Sequence, residues 1–250
     1  MRWQKAQFPM PLNPLTRSYP RLSAESATVL AAYGARTTWP SGFQIYEKDS
    51  AADGISVVLR GHVILRNRIR TGRGFVPAIV TPGQTFGIEG LSHHGTYVTD
   101  AFAADETETL FVSGAQFRAF VRDNPGSALD VLSQLMSERS NLLEKLYGMA
   151  SLNVEQRLID ALQRLAADRS FLTADGRLRL ELKHHRLLCE MVGATRESIA
   201  LALGRLVGAG VAVRRGTSFM IAPSSLVAHI DAVSAEAESA LPLARETVQH

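Results

Sequence analysis

LKHHRLLCEMVGATRESIALALGRLVGAGVAVRRGTSFMIA, residues 182–222, carries the densest information in the chain. Its apolar residues recur at helical spacing up to Val192 and again from Ile199, with Gly193 punctuating the two runs. Thr195 stands where its hydroxyl caps the second helix, and Arg196 and Glu197 fall in that helix's first turn. After Gly208 and Gly210 come two short β-rich runs around Arg214-Arg215-Gly216, which is hairpin chemistry. Helix, tight turn, helix and hairpin in this order predict a winged helix-turn-helix. Such a unit places first-turn side chains of its second helix against base edges and its hairpin tip against phosphates.

Charge distribution agrees. The net charge of +3 says little by itself, but residues 183–216 hold Lys183, Arg186, Arg196, Arg205, Arg214 and Arg215 against only Glu190 and Glu197. A local basic surface supplies the salt-dependent part of affinity for nucleic acid.

Upstream the pattern changes. Short β-rich runs (Ile55–Leu59, Val63–Leu65, Phe75–Val80, Tyr97–Phe102, Leu110–Val112) alternate with glycine turns between about Ala35 and Phe111. Close spacing of this kind predicts a small barrel or roll. Residues 114–121 open a helical region. Leu129–Met149 then carries an apolar stripe in steps of three and four residues: Leu132, Leu135, Met136, then Arg139 as a polar break, then Leu142, Leu143 and Leu146. A stripe of that length calls for a partner, either a second copy of the same helix or the roll alone, and the width given by Leu142 and Leu143 favours the second copy. Val154–Ala166 reads as an amphipathic helix and Leu178–Leu182 as a strand.

The chain thus divides into a proline-broken leader (1–21), a sensing roll (22–122), a dimerisation helix (123–151), a winged helix-turn-helix (152–224) and a helical extension (225–250). At 250 residues this is room for two modest cores. No window has the roughly 20 apolar residues of a membrane helix, and the first 20 residues lack a signal-peptide core, so a cytoplasmic location is expected. The single cysteine, Cys189, excludes an intramolecular disulfide and a cysteine-ligated cluster; a small buried residue is its expected role. His184 and His185 do not make a metal pair, since adjacent helical residues point apart. No nucleophile–base pairing, phosphate-cradling glycine loop or metal-ligand cluster is present, so catalysis is not expected.

Roll, long helix and winged helix-turn-helix in this order resemble the Crp/Fnr family of bacterial transcription regulators. The resemblance spans residues 22–223. It is most specific at VGATRESIALALGRLVGAGV (192–211), with support from Arg60-Gly61-His62-Val63 and from Thr81-Pro82-Gly83-Gln84-Thr85-Phe86-Gly87. It implies an α+β fold: an N-terminal double-stranded β-helix (a jelly-roll-like β-roll), a long dimerisation helix, and a C-terminal winged helix-turn-helix. It also implies a homodimer on a palindromic operator, with RNA polymerase as a further partner if the protein activates.

By the match, Arg196 reaches a guanine edge and Glu197 accepts from a cytosine amino group. Thr195, Ser198 and His185 are candidates for phosphate contact, as are Arg205 and the hairpin's Arg214 and Arg215. One position departs: where many members carry a second arginine a turn after the Arg-Glu pair, this chain has Leu201.

The sensor half departs further. Its candidate effector pocket comprises Phe86, Gly87, Ile88, Glu89, Leu91, Tyr97, Leu142 and Leu143. The nucleotide-binding members use an Arg-Ser pair for the cyclic phosphate and a Thr-Ser pair on the long helix. Here those positions fall near Tyr97-Val98 and on Leu142-Leu143, which offer neither a cation nor a hydroxyl on the helix. A buried phosphate without a cationic partner costs several kcal/mol, so cyclic AMP is not expected. An iron–sulfur cluster is excluded by the cysteine count. Haem stays open through His93 and His94, and so does a regulator with no effector. The other reading is a small-molecule or haem sensor whose DNA contact is secondary or lost.

Overall fold

The computed structural model describes residues 21–68, 74–92 and 95–230. The leader, the His93-His94 pair and most of the C-terminal extension lie outside them; of the extension, 223–230 is helical. By internal contacts the chain forms two units. One takes the described chain up to Leu152 together with Arg186–Ala194; the other takes Asn153–His185 and the chain from Thr195 on.

In the first unit, α1 (Ala24–Ala31) is capped by Ser23, whose oxygen accepts from Ser26 N–H. Eight strands follow: β1 (Ala35–Trp39), β2 (Gln44–Tyr46), β3 (Gly54–Arg60), β4 (Val63–Arg68), β5 (Gly74–Val80), β6 (Thr85–Phe86), β7 (Asp100–Ala103) and β8 (Thr107–Ser113). They form two antiparallel sheets, ordered β1-β8-β3-β6 and β2-β7-β4-β5. β3 explains the architecture. Its GISVVLR run is apolar without alternation because both faces are covered. Ile55 and Val57 join a core with Leu30, Leu110, Val112, Phe120 and Val131, under the helices. Val58, one residue on, joins Val63, Leu65, Val80, Phe86 and Ala101, drawn from both sheets. The β3–β4 turn needs a left-handed residue, and Gly61 supplies it at φ +77°.

The strand expected over Tyr97–Phe102 begins only at Asp100, since Tyr97 is held by backbone bonds to Asp49 and Ser50. β1 and β2 were hidden in the sequence because ARTTW and QIY are exposed or half-buried edge strands with no apolar alternation.

Two helices complete this unit. α2 (Gly114–Asp123) starts with a capping box between Ser113 and Gln116. α3 (Pro125–Ser151) is the long helix. Asp130 on α3 accepts from the hydroxyls of Ser23 and Ser26 at 2.8 and 2.7 Å, pinning α1. Buried Gln134 donates to the Gly83 carbonyl at 2.9 Å, and Lys145 Nζ donates to the carbonyls of Val76 and Pro77 at 2.6 and 3.0 Å. The roll-facing side of α3 is therefore held by polar contacts as well as by Val131. Leu135, half-buried, packs against the roll core on this side.

In the second unit, α4 (Val154–Ala166) starts with a capping box between Asn153 and Gln156 and buries Leu158, Ile159, Leu162 and Leu165. β9 (Leu178–Glu181) pairs with β11 (Ser218–Ile221), which pairs with β10 (Ala212–Arg215). α6 (Arg196–Gly208) packs on α4 and β10 through Ile199, Ala202, Leu203 and Leu206. The helix before it, α5 (His185–Val192), belongs from Arg186 onward to the first unit, and its Cys189, expected as a small buried residue, is half-buried.

Candidate nucleic-acid interface

α6 begins where the sequence places it. Thr195 sits in extended backbone, and its hydroxyl accepts from Ser198 N–H at 3.2 Å and lies 3.1 Å from the Ser198 hydroxyl. Both hydroxyls of this candidate phosphate pair are thus already spent partly on the cap. The buried stripe turns the opposite face outward, and Arg196, Glu197, Ala200, Leu201, Gly204 and Arg205 lie on the exposed surface. Glu197's carboxyl is held below its ordinary range, first by its own backbone N–H, then by the Thr195 hydroxyl and the neighbouring Arg196. It is an acceptor at neutral pH.

The basic residues separate into two sets. Lys183 pairs with Glu181 at 2.9 Å, Arg186 with Glu190 at 3.1 Å and Arg205 with Glu155 at 3.0 Å. Arg196, Arg214 and Arg215 are exposed and make no direct ion pair among the described residues, although the charge of Arg196 acts on Glu197 and that of Arg215 on Asp175. The last two flank the β10–β11 tip, where Gly216 takes φ +58° and its carbonyl accepts from Arg214 Nε at 3.2 Å. His185 stacks on Phe219 of that hairpin, with ring centroids 6.2 Å apart and planes 26° apart. Its buried Nε2 has no hydrogen-bond partner among the described residues. This ring braces the hairpin, a duty the sequence did not reveal because Phe219 is 34 positions away.

On the sensor side, the structure brings some of the candidate pocket residues together and leaves others apart. Phe86 is a core residue between the sheets, and its ring stacks on Tyr46 at 5.9 Å and 26°. Leu91 packs under the helices and borders an open groove with Phe117, Arg118 and Val121. Leu142 and Leu143 are exposed on α3, as is Ile88 at the start of a short helical turn. Tyr97 does meet Gly87, and both meet a residue absent from the sequence-based set: Tyr46. The Tyr46 and Tyr97 rings stack at 3.6 Å and 5°, and a Cβ on Gly87 would stand 3.1 Å from Tyr97 and 3.4 Å from Tyr46.

Acidic groups surround this stack. Burial and nearby Glu89 push the Glu138 carboxyl up to about 7. Tyr46 is raised too, by burial and then by Glu89. Tyr46 and Glu138 lie far apart along the chain, on β2 and α3, so no local motif announced them.

The outward side of α3 carries Leu129, Leu132, Met136, Leu142, Leu143, Leu146 and Tyr147, all exposed. Positions 129, 132, 136, 139, 143 and 146 alternate three- and four-residue steps, a heptad seam with exposed Arg139 inside it.

A two-sheet roll, a long helix and a capped helix with an arginine-tipped hairpin define a sensor-and-reader class of protein. Residues 36–124 match the family profile of the cyclic nucleotide-binding domain. The chain is 28% identical over 196 residues to the cyclic AMP receptor protein of Thermus thermophilus, covering 78% of this chain and 87% of that one. It is 22% identical over 196 residues to the CRP-like cAMP-activated global transcriptional regulator of Mycobacterium tuberculosis, covering 76% and 85%. In fold it matches the c-di-GMP responsive global regulator CLP of Xanthomonas campestris, with TM-score 0.69, 19% identity, and 80% and 99% of the chains covered. FixK2 of Bradyrhizobium japonicum matches with TM-score 0.65, 18% identity, and 77% and 95% covered. The chain is thus similar in sequence to these cyclic AMP-type transcriptional regulators and shares the fold of Crp/Fnr-type proteins. Among the described residues, no helix is long and apolar enough to cross a membrane.

Proposed function

We propose that this protein is a homodimeric, sequence-specific DNA-binding transcription regulator that reads a palindromic operator through α6, with a sensor roll that does not take cyclic AMP. The observation that carries this reading is the outward face of α6. Arg196 and Glu197 stand exposed in its first turn, above a buried stripe that leaves them nowhere else to point. Arg196 donates to guanine O6 and N7, and Glu197 accepts from a cytosine amino group. Arg214 and Arg215 at the hairpin tip take phosphates, and Thr195 and Ser198 hold the helix start against the backbone. Two copies joined along the α3 seam present two reading helices about 34 Å apart, one helical turn of DNA.

The acidic surroundings of the roll's aromatic pair speak against a cyclic phosphate. Glu89 and Glu138 act on Tyr46 where an anionic ligand would need a guanidinium. Calorimetric titration with cyclic AMP is expected to give no binding heat.

The test of the whole reading is selection of sites from random duplex DNA by the full chain with nothing added. A symmetric motif with half-sites one turn apart supports it; recovery of no motif sinks it.

A further inference from the structure

We infer that Leu201 is a specificity-determining residue that reads a thymine methyl group in each half-site; this rests on the proposed reading role of α6. Leu201 follows Glu197 by one helical turn and is 65% exposed, although the same helix keeps Ile199, Leu203 and Leu206 fully buried. Its neighbours on the outward face offer no competing chemistry. Ala200 is a single methyl, and Gly204 has none, with open space where a Cβ would be.

The helix beyond Glu197 is thus nearly smooth, with one isobutyl group standing from it until Arg205, whose guanidinium is drawn to Glu155 at 3.0 Å. A smooth face permits close approach to the groove floor. An isobutyl group there has no hydrogen bond to give. Facing a guanine, a cytosine or an adenine it would strip water from polar edge atoms and return nothing. Thymine alone presents an apolar group in the major groove, its C5 methyl, so the base facing Leu201 is thymine.

The experiment uses the site selected by the full chain, then duplexes differing by one methyl group. Replacing the facing thymine by deoxyuridine leaves every hydrogen-bonding atom in place. Loss of one methyl-sized apolar contact, ~0.8 kcal/mol, corresponds to about fourfold weaker binding for one half-site and about fifteenfold for both. Leu201→Ala is expected to bind both duplexes alike, and Leu201→Arg to move the preference at that position from thymine to guanine. Leu201 is exposed, so neither substitution disturbs the core.

A symmetric motif with no thymine there, or equal affinity for the thymine and deoxyuridine duplexes, overturns the inference and leaves the regulator reading standing. Absence of any motif overturns both.

Discussion

At the scale of single residues, the same side-chain types divide sharply by where α6 turns them. Arg205 and Arg196 are both arginines on one helix, but Arg205 is held by Glu155 on α4 while Arg196 is left at the exposed first turn. Arg196→Ala is expected to weaken specific binding by about 1–3 kcal/mol and to relax discrimination at one base position, with the dimer intact. Competition among variant operators checks it, and unchanged discrimination would remove Arg196 from the reading role. Arg205→Ala is expected to lose mainly its ion pair, worth less than about 1 kcal/mol at an exposed site.

Glu138 gives a prediction in pH. Its folded-state carboxyl is raised from the ordinary value of 4.5 to about 7, because burial and Glu89 disfavour its charge. The folded state therefore holds this proton more tightly than the unfolded chain. The contribution to stability is fully present below about pH 4.5 and is lost as pH rises through about 7. Denaturant unfolding from pH 4.5 to 8 should show wild type losing stability relative to Glu138→Gln across this window. Parallel curves for the two proteins would remove the assignment.

At the scale of elements, local signals were readable and distant pairings were not. Val154–Ala166 was readable from an apolar stripe within one stretch, and the structure adds the capping box of Asn153 and Gln156 at its start. The second helix of 182–222 starts at Thr195 for the same local reason. The candidate interface was legible because its residues lie within a few turns of each other. The sensor's Tyr46–Tyr97 stack was not, because a strand residue and a loop residue 51 positions apart carry no shared periodicity. The packing of Leu135 on the roll was hidden for a related reason: a helix wet on one side and packed on the other shows one broad stripe, and only the roll's position divides it.

The attachment of α5 is another distant pairing. Glu190 is 8% exposed and takes Arg66 of β4 as well as Arg186 of its own helix. Gly74 of β5 lies so close that a Cβ would stand 2.6 Å from the Glu190 carboxylate. Glu190→Ala leaves the largely buried Arg66 uncompensated and should cost about 3–5 kcal/mol, whereas exposed Arg186 at i,i+4 should cost about 0.3–0.5 kcal/mol on truncation. Chemical denaturation of the two variants checks the contrast; equal small losses would mean that the ion pair does not hold this helix.

At the scale of the whole molecule, the proposed dimer links the apolar seam of α3 to the salt dependence of binding. Leu143 and Leu146 are 55% and 64% exposed, one step apart on the seam, and among the described residues neither joins a core cluster. Replacing both by glutamate places four like charges across a paired seam without touching Val131, Gln134 or Lys145, which hold α3 to the roll. The variant is expected to fold as wild type by circular dichroism and to sediment as a monomer. Each phosphate contact contributes about −0.9 to the slope of log affinity against log salt on duplex DNA. A monomer touches one half-site, so its slope should fall to about half that of wild type, with the base preference of that half-site unchanged. Sedimentation together with a salt titration on the selected operator reads both effects. A variant that stays dimeric would move the interface away from α3, and a monomer that kept the full salt slope would mean that the wild type never engaged two half-sites.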